Sequence, residues 1–139
     1  MERLNARIEE LGGPDAYPVV SLDLFFEGND DPASIGPNLD PHPGVETFDR
    51  VLRAIRERPD VSDVVVQIDE VADGEWPYAP AVYVVTTADP EEVHSWAAEL
   101  QPDEYVGEED SIGPWLGRGR PPGAPEVPDG SRVVTLFWD

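Results

Sequence analysis

The order in which hydrophobic periodicities follow one another restricts the fold of this chain more than any single motif does. "YPVVSLDLFFEG", residues 17 to 28, alternates along its length and reads as a strand. Val20, Leu22, Leu24 and Phe26 fall on one face, and Ser21, Asp23 and Phe25 on the other. From about Pro43 to Arg58 the spacing changes, and Val45, Phe48, Val51, Leu52 and Ile55 cover one side of a helical wheel. "VSDVVVQIDEV" follows as a second strand, with Val64, Val66 and Ile68 alternating against Val65, Gln67 and Asp69, and "AVYVVTT" is a third. "ADPEEVHSWAAEL" returns to helical spacing with Val93, Trp96, Ala97 and Leu100 as its apolar stripe. Asp89 suits its N-cap, Pro90 its first helical position, and Glu92 the third position of a capping box. "RVVTLFW" closes the series as a fourth strand.

This order, β-α-β-β-α-β, predicts an α+β fold: a ferredoxin-like sandwich with a four-stranded antiparallel sheet and two helices on one face. Right-handed crossovers in such a domain put the first and third strands at the centre. Residues 1 to 13 add an N-terminal helix with Leu4, Ile8 and Leu11 on one stripe and Gly12-Gly13 as its stop, packing on a sheet edge or on the open face. Residues 18 to 139 form the core, and the 139 residues make a single domain. Two connectors, at 27 to 42 and at 101 to 131, are longer than compact domains ordinarily use, and such loops tend to be functional.

Charge then narrows the function. Thirty acids stand against nine bases, for a net charge of −21, and every cation other than the two histidines is an arginine. Such a field repels nucleic-acid backbones and attracts cationic proteins and divalent metals, although solubility alone can also account for it. No run approaches the ~18 apolar residues of a membrane span, and "MERLNARIEELGG" lacks an apolar signal core. With no cysteine there is no disulfide framework, and a cytoplasmic location without membrane association is expected.

Catalytic chemistry finds little foothold. His42 and His94 lie in different elements, no Gly-x-Ser-x-Gly elbow accompanies them, and "GRGRPPG" is broken by proline and opens no helix. A non-enzymatic role without a cofactor is expected. The first connector offers Glu27, Asn29, Asp30, Asp31, Asp40 and His42, an oxygen-rich set with one imidazole. A hard divalent cation such as calcium accepts those ligands, so a metal site at Glu27, Asp30, Asp31, Asp40 and His42 is the alternative reading. Asx turns at Asn29 and Asp30, with Pro32, Gly28 and Gly36 shaping the backbone, would instead make an ordered loop with no ion.

A third reading treats the loops as an interaction surface. Glu27, Asn29, Asp30 and Asp31, with Trp76 in the turn between the second and third strands and Glu108, Glu109, Asp110 and Trp115 in the second connector, combine acidity with aromatic anchors. That composition suits docking of a basic protein, with charge steering the encounter. Trp115 could equally pin its loop onto the open sheet face, where Tyr83 needs cover. A homodimer through that open face is compatible with either reading.

The phrases "FFEGND", "SIG", "HPG", "EWPYAPAVYVVTTADPEEV", "LQPDE" and "FWD" resemble a family of small acidic bacterial proteins with no assigned activity, over most of residues 18 to 139. The resemblance implies no substrate and no catalytic residues. By analogy, small acidic cytoplasmic bacterial domains include immunity proteins that block basic toxins. The expectation is an acidic binding domain for a cationic protein partner, with an inhibitor or immunity protein as one form of it.

Overall fold

The structure, a computed structural model, describes residues 1–103 and 114–138. Four helices accompany a four-stranded sheet: α1 (Glu2–Glu10), β1 (Val19–Ser21), α2 (Leu22–Phe26), α3 (Val45–Arg56), β2 (Val61–Gln67), β3 (Ala81–Thr86), α4 (Pro90–Trp96) and β4 (Arg132–Phe137). All neighbouring strands are antiparallel and the α+β class holds, with α2 and α3 both standing between β1 and β2 where a single helix was expected. The sheet order is β1-β2-β3-β4, and the central pair is therefore β2 and β3 rather than the first and third strands.

The cause lies in the connection from β1 to β2, which has two legs instead of one crossover. α2 and the loop after it carry the chain to the far end of the sheet, where Ile35 bridges Ala79 just before β3. α3 then brings the chain back, so β2 starts beside the end of β1 and runs antiparallel to it, with Ser21 opposite Val65 and Val19 opposite Gln67. A strand reached by an out-and-back path is an antiparallel neighbour.

The same region corrects the first strand. β1 spans three residues, and "LDLFF" is helical. Ser21 ends the strand and caps the helix, its Oγ accepting the Leu24 N–H at 3.2 Å. Leu22, Phe25 and Phe26 are then buried at i, i+3 and i+4, while Leu24 is only partly covered. Phe25, expected on the other sheet face, packs edge-on against Phe26 at 5.0 Å instead.

One face of the sheet and the helices enclose the larger core. Val20, Val64, Val66, Val82, Val84, Val134 and Leu136 face Leu4 and Ile8 of α1, the α2 trio, and the whole expected stripe of α3. α1 touches α2 and β1, which places it beside the outer strand. On α4, Val93 and Ala97 are buried, as is Leu100 just beyond it, but Trp96 is half-exposed under the Arg58 guanidinium, 3.9 Å from its ring. Asp89 occupies the N-cap of α4 without bonding its N–H groups; its carboxylate lies 3.7 Å from Arg132.

The second face, expected to be open, is closed. Val19, Val65, Tyr83 and Val85 form a second core with Trp115, whose ring meets Tyr83 edge-on at 4.9 Å. Residues 114 to 124 cross this face as a strap, with Leu116 and Ala124 also packed on it. The Val19 N–H donates to the Pro122 carbonyl at 3.0 Å, tying the strap to β1. A homodimer through this face would have to displace the strap.

α2 and α3 are joined by charge as well as packing. Arg53 donates to Asp23 at 2.6 Å and also to Asp49 one turn earlier, while Arg56 lies 3.8 Å from Asp23. Arg50 reaches Glu99, just beyond α4, at 2.6 Å. The hydrogen bond from Arg53, then the charges of Arg53 and Arg56, hold the Asp23 carboxyl below its ordinary 3.8, against the opposing effect of burial. A depressed carboxylate stabilises the fold fully above its unfolded value, and that contribution disappears as pH falls through the lower folded value. Asp23 is 63% exposed, so screening limits the effect to a few tenths of a kcal/mol. Asp23→Asn should therefore trail the wild type by the same small amount at about pH 7 and pH 5. The gap should close below pH 3.8; a gap that persists there would mean the ion pair is not its source.

Candidate functional site

The first connector is built around Asn29. Its Nδ2 donates to the Phe25 carbonyl at 3.3 Å and to Ser34 Oγ at 3.0 Å, while its Oδ1 accepts the Asp31 N–H at 2.9 Å. Asp31 Oδ1 in turn accepts the Ala33 N–H at 2.9 Å, and Ser34 Oγ donates to the Asp31 carbonyl at 2.7 Å. The Asx turns thus sit at Asn29 and Asp31, not at Asp30. The Ala79 N–H donates to the Ser34 carbonyl at 2.8 Å and fastens the loop to the start of β3. Asn29 is buried and acts as the loop's internal scaffold, whereas Asp30 is exposed and Asp31 half-buried.

His42 has a second internal role. Its Nδ1 accepts the Gly44 N–H at 2.9 Å and its Nε2 lies 2.8 Å from the Ile35 carbonyl, an arrangement that fits a ring protonated on Nε2. Both nitrogens are used within the chain, and the ring lies 5.5 Å from that of Phe48. Gly36 packs so closely on this group that a Cβ there would stand 2.9 Å from Phe48 Cζ. Among the described residues, no three histidine, aspartate or glutamate side chains come together in a way that could hold a metal. The set Glu27, Asp30, Asp31, Asp40 and His42 does not converge, because His42 turns inward to Ile35 and Gly44 while Asp30 and Asp31 face the opposite end of the loop, beside Trp76.

Asp30, Asp31 and Trp76 do converge. They line one open hollow of about 430 Å³ with Met1, Gly28, Pro32 and, from the turn between β2 and β3, Gly74. Trp76 packs against the helix-side core, and its indole Nε1 is buried with no partner among the described residues. The turn contributes further acids, since Glu70, Asp73 and Glu75 are exposed around it. A second hollow of about 340 Å³ shares Met1 with the first and is lined by Asp23 and Glu27, with Glu27 3.8 Å from Arg3. Carboxylates beside an indole can accept hydrogen bonds from a guanidinium or ammonium while the ring supplies a face for the cation.

Trp115 belongs to the opposite face of the sheet, inside the second core, and does not join this surface. Glu108, Glu109 and Asp110 lie outside the described residues. Sequence reasoning passed over Gln67, Arg118 and Arg120, which line a separate cavity under the strap. The available signal was a local reversal of charge, because "GRGR" is a basic pair in a chain with more than three acids per base.

Among the described residues no helix is long and apolar enough to cross a membrane. No solved structure matches the chain. It is 38% identical over 134 residues to the Uncharacterized protein YfbO of Escherichia coli (strain K12), an alignment covering 94% of this chain and 89% of that protein. The family model described as the Uncharacterized protein YfbO family matches residues 1–136. The resemblance carried by the strand and loop phrases is thus to a real bacterial family, and this chain belongs to the Uncharacterized protein YfbO family.

Proposed function

We propose that this chain is a non-enzymatic acidic binding domain of the cytoplasm that engages a cationic protein, in the manner of an inhibitor or immunity protein. The observation that supports this reading is the hollow where Asp30 and Asp31 meet Trp76. Asn29 holds the loop in shape before any partner arrives, so little ordering cost falls on binding. The net charge of −21 draws basic surfaces in from a distance, and the Trp76 indole beside Asp30 and Asp31 supplies an aromatic anchor of the type in which binding energy concentrates.

The test compares the wild type with Asp30→Lys/Asp31→Lys and with Trp76→Ala in capturing partners at low and at high salt. The expected result is one basic protein retained at low salt and released at high salt. The lysine pair should slow its association, and Trp76→Ala should weaken its affinity by about 2 kcal/mol, a loss of roughly thirtyfold. Retention that ignores both salt and these substitutions would remove the reading.

A further inference from the structure

Under the strap lies a cavity of about 120 Å³, enclosed between residues 114–122 and the second face of the sheet. Its lining includes Tyr17, Gln67, Tyr83, Trp115, Arg118 and Arg120. Gln67 is 2% exposed. Its Oε1 accepts the Tyr83 hydroxyl, which leaves Nε2 buried with no partner among the described residues. Buried amide donors are almost always satisfied, so a lone one on a cavity wall calls for an acceptor from outside.

The arginines supply an independent observation. Seven of the nine, namely Arg3, Arg7, Arg50, Arg53, Arg56, Arg58 and Arg132, each lie within 3.8 Å of a carboxylate. Arg118 and Arg120 make no such pair among the described residues, although the chain has thirty acids to offer. Arg118 lies over the Tyr17 ring at 4.2 Å, and Arg120 donates from Nη2 to the Ala124 carbonyl at 2.9 Å. Both guanidinium groups keep further donors, and both border the same cavity as the lone amide. The backbone beside them is also held in an unusual state. Trp115 and Leu116 have φ of 60° and 55°, a left-handed conformation that non-glycine residues adopt at some cost and that recurs around ligand clamps.

We propose that this cavity binds one small oxyanion, the carboxylate or phosphate group of a small molecule, between Arg118 and Arg120, with Gln67 Nε2 as a further donor. Charged donors to an oxyanion make the stronger class of hydrogen bond. The volume is well below the roughly 300 Å³ at which pockets begin to take drug-sized ligands, so the ligand is compact. The aromatic walls of Tyr17 and Trp115 favour an apolar stem behind the charged group. The repulsion from the net negative charge is long-range and fades beyond about 8 Å at physiological salt, whereas these contacts are local.

The experiment follows thermal unfolding of the full chain while inorganic phosphate or acetate is titrated against chloride at matched ionic strength. A ligand of the folded state raises the midpoint. A rise with phosphate alone, or with acetate alone, identifies the preferred group and supports the site. In Arg118→Ala/Arg120→Ala the rise should vanish, with affinity at least tenfold weaker, while the midpoint in chloride stays near that of the wild type because both side chains are exposed. In a nitrogen-resolved spectrum the Gln67 side-chain amide should shift on titration in the wild type and stay still in the double variant. Responses no larger than those to chloride, or undiminished in the double variant, overturn the proposal. This outcome does not depend on whether a cationic partner binds at Trp76.

Discussion

Trp138→Ala should destabilise the protein by about 3–5 kcal/mol, the range for removing a buried aromatic from a core. Trp138 is 1% exposed at the end of β4, and its ring meets Phe48 of α3 edge-on at 5.2 Å. Its Nε1 donates to the Leu100 carbonyl at 2.8 Å, beyond the end of α4. One side chain thus joins the end of the last strand to α3 and to the turn that follows α4, and its loss leaves a cavity and an unpaired carbonyl together. Since whole domains are stable by only about 5–15 kcal/mol, this is a large share. The unfolding midpoint should fall by ~10–20 °C. Trp138→Phe keeps the contact with Phe48 and gives up the hydrogen bond, so its cost should be about 1–3 kcal/mol. If alanine cost no more than phenylalanine, the packing role assigned to the indole would be wrong.

The second large effect is expected at Gly123. Its φ is +84°, and a Cβ there would stand 2.5 Å from the Val19 carbonyl oxygen and 2.9 Å from Leu11 Cδ1. Leucine can move, but the carbonyl belongs to a paired strand and cannot yield cheaply. Gly123→Ala must push the strap away from β1, lengthening the bond from the Val19 N–H to Pro122. The expected loss is about 1–3 kcal/mol, with faster hydrogen exchange at Val19 and a red-shifted emission from Trp115. Gly119→Ala is the control. Its φ is +83°, but nothing lies within 4 Å of the added methyl, so only the backbone cost of about 1–2 kcal/mol applies and the Val19 amide should stay protected. Equal behaviour of the two variants would show that contact with β1 plays no part in seating the strap.

Much of this architecture could be read in advance because its periodicities are unambiguous. The stripe of α3 has one interpretation, and all five of its apolar positions are buried. β2, β3 and β4 fall within the segments whose apolar patterning reads as strand, although β2 ends at Gln67, short of the Val71 to which its segment ran. "SLDLFF" failed because it satisfies two periods at once. Leu22, Leu24 and Phe26 alternate as in a strand, while Leu22, Phe25 and Phe26 share a helical face, and only the capping contact from Ser21 to Leu24 decides between them. The order of strands was lost with that segment, since a three-residue strand followed at once by a helix does not make the long crossover the topology rule assumes. Within the candidate site, Asp30, Asp31 and Trp76 were legible as acidic and aromatic, but their meeting depends on Asn29, Ser34 and Ala79 drawing two distant loops together. The inward turn of His42 had no signature in composition, because it follows from the proximity of the Ile35 and Gly44 backbone groups.

The bond from the Val19 N–H to Pro122 has a consequence for how this protein behaves at high concentration. An outermost strand ordinarily presents a free row of amides and carbonyls on which a foreign strand can form, the first step of many aggregates. Here that row is three residues long, begins immediately after a proline, and has its first amide already occupied by the strap. The β1 side of the sheet is thereby a short and partly occupied template for β-addition, and a foreign strand must displace Pro122 before it can take the Val19 amide.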